Sequence, residues 1–313
     1  MMTMSRTLIT SRDRKGRHIT GLFEAVLNKA GLTDGPDGSA QCLIENGGEF
    51  QESVREALEK HSTISQFATE AVCPAYGYPP EYKGPRPIEE QIRELALICG
   101  GKVDPSCALA FSRNLPDMKI FVPADALHCT GWFATLWDEA LVALFPEETN
   151  RARRYCLGVN MMFENIASTR SFTNWRKGHI DPSHLRVHPR TMQAMDQVAL
   201  TQRGGILILA VQLGIYHAGQ PVSLAREVFT TNEYGTGSLT GTSIVYSHPQ
   251  RLVRYHELDM DLPGDEFSVD GDGQFGRAPI LYFRGKARFD ARGVSRVDGY
   301  FGSSSFFAPT VKL

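Results

Sequence analysis

Apolar side chains recur at helical spacing in residues 20–32, where Leu22, Ala25, Val26 and Ala30 lead to Gly31 as a stop, and again in 49–62 through Val54, Leu58 and His61. Two helices joined by the turn residues 33–39 are expected there. The periodicity then breaks in "CPAYGYPPEYKGPRP", residues 73–87, whose five prolines and three tyrosines predict an extended connector, because proline fixes φ and removes a backbone donor. Directly after it, Ile88, Ile92, Leu95, Ala96 and Cys99 make one apolar stripe. Pro87 stands at the first turn, Glu89 and Glu90 complement the helix dipole, and Gly100 and Gly101 end the segment.

Residues 118–127 predict a short strand ending at Pro123, and 130–145 a buried, aromatic-rich helix ending before Pro146. His188-Pro189 opens a helix running through Met192, Met195 and Ala199 toward Gly204, while His248-Pro249 repeats the device before "QRLVRYHEL". The pattern changes in "LILAVQL", 207–213, where an unbroken apolar run predicts a central strand. Alternation in "APILYFRGKARFD", 278–290, predicts a hairpin turning at Arg284-Gly285-Lys286. These elements predict an α+β fold, helix-rich in the N-terminal two thirds, with strands and the hairpin concentrated in the C-terminal third. The expected organisation is a helical portion over 1–75, a Pro/Tyr connector over 76–87 and a mixed main domain over 88–313.

Composition narrows the function classes. With 313 residues, 42% apolar and 22% charged, the chain can close a core without staples. No apolar run reaches the roughly 20 residues of a membrane span, and the basic N-terminus lacks the apolar block of a secretory signal. Six cysteines, Cys42, Cys73, Cys99, Cys107, Cys129 and Cys156, form no C-x-x-C pair and read as buried thiols of a cytoplasmic protein. A formal net charge of −2 gives no field to gather nucleic acid. Charge is nevertheless uneven: 151–190 hold eight Lys or Arg against two acids, and 255–275 hold seven acids and no Lys or Arg. Mutual neutralisation across the folded surface is the plain expectation.

"KGHIDPSHLRVHPR", 177–190, gathers the candidate chemistry. If 182–188 were helical, His184 and His188 would share a face and could bind zinc, with His179 or Asp181 as a third ligand. Leu185 stands where H-E-x-x-H has its glutamate, so the zinc-protease mechanism is excluded. The simpler account makes Asp181-Pro182 and His188-Pro189 helix punctuation. Arg176, Lys177, Arg186 and Arg190 around these histidines are candidate ligands for an anion. His217, where the central strand gives way to a glycine turn, is a further catalytic candidate beside His179 and Asp181.

Other motifs fall short. Aligning Gly273 with an EF-hand glycine puts Ser268 and Pro279 at the ends, leaving a tight acidic turn or a weak divalent-cation site drawing on Asp270 and Asp272 with Asp259, Asp261, Asp265 or Glu266. "YGTGSLTGTS", 234–243, is one residue out of step with the dinucleotide fingerprint and reads as a loop. No P-loop or nucleophile elbow is present, and Cys129 beside His128 points away from it on a strand. The missing signatures tilt the reading toward an interaction or assembly role with a protein partner. The alternative is an enzyme acting on an anionic small molecule through 176–190 and His217.

Overall fold

An apolar run buried on both faces needs neighbours on both edges, and Ile206–Gln212 has them. The computed structural model describes residues 71–309 apart from Cys73, Ala75 and His256, within Ser65–Leu313, the second of the two units into which the chain divides. The helices expected over 20–32 and 49–62 lie outside the described residues, as do Cys73 and Ala75 of the connector.

In chain order the elements are α1 (Ile88–Ile98), α2 (Ser106–Ser112), β1 (Thr130–Leu136), α3 (Asp138–Leu144), α4 (Arg151–Thr169), β2 (Phe172–Asn174), β3 (Leu185–Val187), α5 (Pro189–Gln202), β4 (Ile206–Gln212), α6 (Val222–Val228), β5 (Glu233–Gly235), α7 (Ser238–Ser247), β6 (Asp259–Asp261), β7 (Asp265–Phe267), β8 (Arg277–Phe283), β9 (Ala287–Gly293), β10 (Phe301–Ser303) and β11 (Ser305–Phe307). No helix among the described residues is long and apolar enough to cross a membrane.

One sheet has the order β1-β4-β11-β5, all antiparallel. The other runs β10-β6-β8-β7-β3, with β9 on the second edge of β8 and β2 beyond it. The chain steps from the second sheet to the first between Ser303 and Ser305. Ser304 fixes the step by donating its N–H and hydroxyl to the Asp261 carbonyl, at 3.0 and 2.8 Å. At the same crossing Gly302 lies so close to the Gly214 carbonyl that any Cβ would collide with it.

The expected segregation of helices before strands is contradicted. Strands β1 to β3 lie before residue 190 and helices α6 and α7 beyond 220, so the fold is mixed, with helices spread through the chain and two sheets among them. Three local readings account for the difference. Thr130–Leu136, expected as helix, is strand β1, because a short apolar run carries no period that separates strand from helix. Its outer edge is covered by Gln91 of α1, whose amide donates to the Trp132 carbonyl at 3.2 Å and accepts from Ala134 N–H at 3.0 Å. Residues 118–120, expected as strand, form a 3₁₀ turn capped by Asp117, and 249–251 form another in place of the helix expected after Pro249.

The glycine-rich 234–243 "loop" is largely the buried helix α7. Three of its hydroxyls are satisfied within the helix: Thr242, Ser243 and Ser247 donate to the carbonyls of Ser238, Leu239 and Ser243 one turn back. Its N-terminus is closed by the Asp265 carboxylate, which accepts from Ser238 N–H at 2.6 Å and from the Tyr155 hydroxyl at 2.8 Å. Burial pushes Asp265 up to about 6 against these hydrogen bonds.

Candidate functional site

Residues opposed across a ladder share a face. Asp261 opposes both Ser303 of β10 and Ile280 of β8, Ile280 opposes Asp290 of β9, and Ala278 opposes Arg292. Ser303, Asp261, Ile280, Asp290 and Arg292 therefore stand on one side of the second sheet. On that side opens a cavity of about 620 Å³, walled by Ile280, Asp290, Arg292 and the turn 269–276, with Arg176, Arg277 and Arg296 at its margin. Its size is that of a small-molecule site.

Arg292 is the centre of the wall and is only 4% exposed. Its Nη2 donates to the Arg296 carbonyl, and its guanidinium carbon lies 4.2 Å from the Phe301 ring centroid. Its Nε is 3.5 Å from Asp261 Oδ1, an ion-pair distance beyond hydrogen-bond reach. Arg292 Nε and Nη1, both carboxylate oxygens of Asp261 and the Ser303 hydroxyl are all buried without a hydrogen-bond partner. Each such atom costs about 1–3 kcal/mol against a satisfied one, and buried polar groups left in this state call for a specific explanation. Burial pushes Asp261 up to about 6; Arg292 and Arg296 pull it down and Asp298 pushes it further up.

Four arginines and three aspartates line the cavity, and their pairing decides the local field. Arg176 Nε donates to Asp290 Oδ1 at 2.6 Å, so this pair neutralises itself. Asp272 accepts from Ser268 Oγ at 3.0 Å and Gln274 N–H at 2.9 Å, which holds the acidic turn. Arg277 reaches only the Ala291 carbonyl, at 3.4 Å, and no described acid pairs with exposed Arg296. Arg277 and Arg296 are matched in number by Asp270 and Asp272, so the cavity carries little net charge, and the cationic groups are concentrated on the wall formed by Arg277, Arg292 and Arg296.

Of the residues expected to hold an anion or act in catalysis, only Arg176 lines this cavity, together with Asp270 and Asp272 of the acidic turn. Lys177 is exposed. Arg186 pairs with Glu266 across β3 and β7 at 2.7 Å and lies 3.8 Å from the Phe275 ring centroid. Arg190 donates to the Thr230 and Glu233 carbonyls, lies over Tyr234 and borders a second, mainly apolar cavity of about 460 Å³. His179 stacks on His184 at 4.7 Å. Asp181 accepts from Ser183 N–H and from His184 Nδ1, at 2.8 and 2.9 Å, a turn where a helix start was expected.

His184 and His188 flank the strand β3, so the helical i,i+4 geometry for a shared zinc ion is not formed. Among the described residues no group of three or more His, Cys, Asp or Glu is placed to hold a metal. His188 instead caps α5, accepting from Arg190 N–H at 3.3 Å ahead of Pro189. His188→Ala is expected to cost about 1 kcal/mol in urea unfolding and to leave the metal content of purified protein unchanged.

His217 is buried away from both cavities. Its Nε2 lies 2.6 Å from Glu233 Oε1, which also accepts from Ser305 Oγ at 2.5 Å, and Gln212 donates to Ser305 Oγ at 2.9 Å. These are the letters of a hydrolase triad in the wrong order. The serine donates to the carboxylate and not to the imidazole, so His217 cannot take its proton. The network ties β4, β5 and β11 together.

Arg277, Arg292, Ser303 and Arg296 belong to no sequence motif, and Asp261, expected only as a contributor to a weak cation site, stands instead beside Arg292. One local signal existed: Arg288, Asp290 and Arg292 alternate along β9, which places three charges on one face of a predicted hairpin. Compared with family models, curated proteins and solved structures, the chain matches none.

Proposed function

We propose that this protein binds a small anionic molecule, one carrying a carboxylate, sulfate or phosphate group, in the arginine-walled cavity of its second sheet. The observation that carries this reading is Arg292, a buried guanidinium with Nε and Nη1 unpartnered in the wall of a cavity that also holds Arg277 and Arg296 without acid partners. A carboxylate or phosphate oxygen is the natural acceptor for such a fork. The interaction role toward which the missing motifs tilted the sequence gives way here to the small-molecule alternative, because the unsatisfied groups belong to Arg292, which lines a concave site, and to Asp261 and Ser303 behind it.

Binding, and not nucleophilic catalysis, is proposed. The lining holds no serine, threonine, cysteine, histidine or lysine, so no hydroxyl, thiol, imidazole or amine nucleophile faces the cavity. Cytoplasmic residence belongs to the same proposal, supported by the free thiols Cys99, Cys107, Cys129 and Cys156.

Calorimetric titration with sulfate, phosphate and small carboxylates tests the reading. Saturable binding of one anion per chain at millimolar or lower concentration is expected; absence of heat and of thermal shift with every anion contradicts it. Arg296→Ala, at an exposed position, is expected to weaken binding roughly threefold to tenfold while leaving the melting temperature of the free protein unchanged.

A further inference from the structure

We propose that the cavity takes up its anion together with a proton, and that Asp261, behind Arg292, is the group that holds the proton. This inference rests on the anion-binding reading above. Asp261 is wholly buried, and neither carboxylate oxygen accepts a hydrogen bond. Ser304 donates twice near it, but to the main-chain carbonyl and not to the carboxylate. The ionised carboxylate therefore depends on Arg292, whose Nε stands 3.5 Å away.

An anion held in the cavity against Arg292 would place a second negative charge on the same guanidinium. Two anions sharing one buried cation raise each other's affinity for protons, and the ligand's charge is fixed by its own chemistry. The adjustable group is Asp261.

The other charges around Asp261 do not relieve it. Arg296 helps from the segment after β9, and Asp298 on that segment opposes. Asp290, on the same face of β9, is engaged by Arg176. Asp259, two residues earlier on β6, is engaged by Arg284 at 2.8 Å. Ser303 from β10 and Ile280 from β8 bring no charge. With the free carboxyl titrating at about 6, Asp261 is largely ionised at neutral pH and available to receive the proton. Well below that pH it is already protonated, and uptake vanishes. Protonation favours the anion complex, so affinity falls as pH rises above this value and is level below it.

Sulfate is the probe, because its own charge is constant across this range. Titration of the full chain with sulfate near neutral pH, in buffers of different ionisation enthalpy, is expected to show uptake of about half to one proton per anion. Over the same range above the free titration point, the affinity should fall roughly threefold to tenfold per pH unit. Asp261→Asn is expected to bind sulfate with no uptake and no pH dependence. Binding with the same heat in every buffer, or uptake that persists in Asp261→Asn, overturns the inference and leaves the anion site standing. Should Asp261→Asn fail to fold, the wild-type pH series decides alone, a flat affinity above the titration point being the contrary result. If sulfate and the other anions do not bind at all, the anion-binding reading falls and this inference with it.

Discussion

Arg292→Leu is expected to abolish measurable sulfate binding and to destabilise the fold by about 3–5 kcal/mol near pH 8, the cost of stranding one member of a buried ion pair. The two effects have different origins. Binding is lost because Arg292 is the one buried guanidinium in the cavity wall, where a hydrogen bond to charge is worth more than at the exposed Arg296. Stability is lost because Asp261, wholly buried, loses the cation nearest to it.

The pH dependence separates them. Without Arg292 the Asp261 carboxyl titrates further above its present value of about 6, so the folded state binds that proton more tightly than the unfolded chain. The stability it contributes is then full in acid and lost as pH rises through the folded value. Chemical denaturation should accordingly show a smaller loss for Arg292→Leu at pH 5 than at pH 8. Adding Asp261→Asn to Arg292→Leu should restore much of the stability and none of the binding.

Glu233→Ala should be comparably damaging, by about 3–5 kcal/mol, for a structural reason. Glu233 is wholly buried and accepts from Ser305 Oγ at 2.5 Å, lies 2.6 Å from His217 Nε2, and meets Thr230 N–H at 3.4 Å. Truncation strands these groups and opens a void at the junction of β4, β5 and β11. Glu233→Gln keeps an acceptor and should lose about half as much. In the fraction that stays folded at low temperature, sulfate affinity should be unchanged, since none of these residues borders the second sheet's cavity. A loss of sulfate binding in folded Glu233→Gln would show that His217 and Glu233 belong to the site after all.

What was legible in the sequence was whatever a short window contains. The stripe of α1, the unbroken run of β4 and the alternation of β8 and β9 each follow from the period of one element, and each is present. The signals that misled were local as well. A short, mostly apolar segment fits β1 and a helix equally, and the serines and threonines of α7 look solvent-seeking until Thr242, Ser243 and Ser247 are seen to bond within the helix.

The acidic stretch 255–275 shows the deeper limit. Glu266 does meet Arg186 of the basic stretch across the surface, as charge balance suggests. Asp259, Asp261 and Asp265 instead go inside, opposite Arg284, Arg292 and the Tyr155–Ser238 pair. Their burial is decided by partners from distant elements, which no composition count reveals. The histidine density of 179–188 drew notice for its letters, whereas the arginine cavity arises from strand register and carries no motif.

The central claim is that Arg292 and its neighbours hold an anion, and the most direct measurement is anomalous diffraction from crystals of the full chain grown with selenate in place of sulfate. A selenium peak is predicted in the cavity of the second sheet within about 4 Å of Arg292 Nη1, an oxygen of the anion lying at about 2.9 Å from that nitrogen. An empty cavity with selenate bound only elsewhere on the protein would contradict the account.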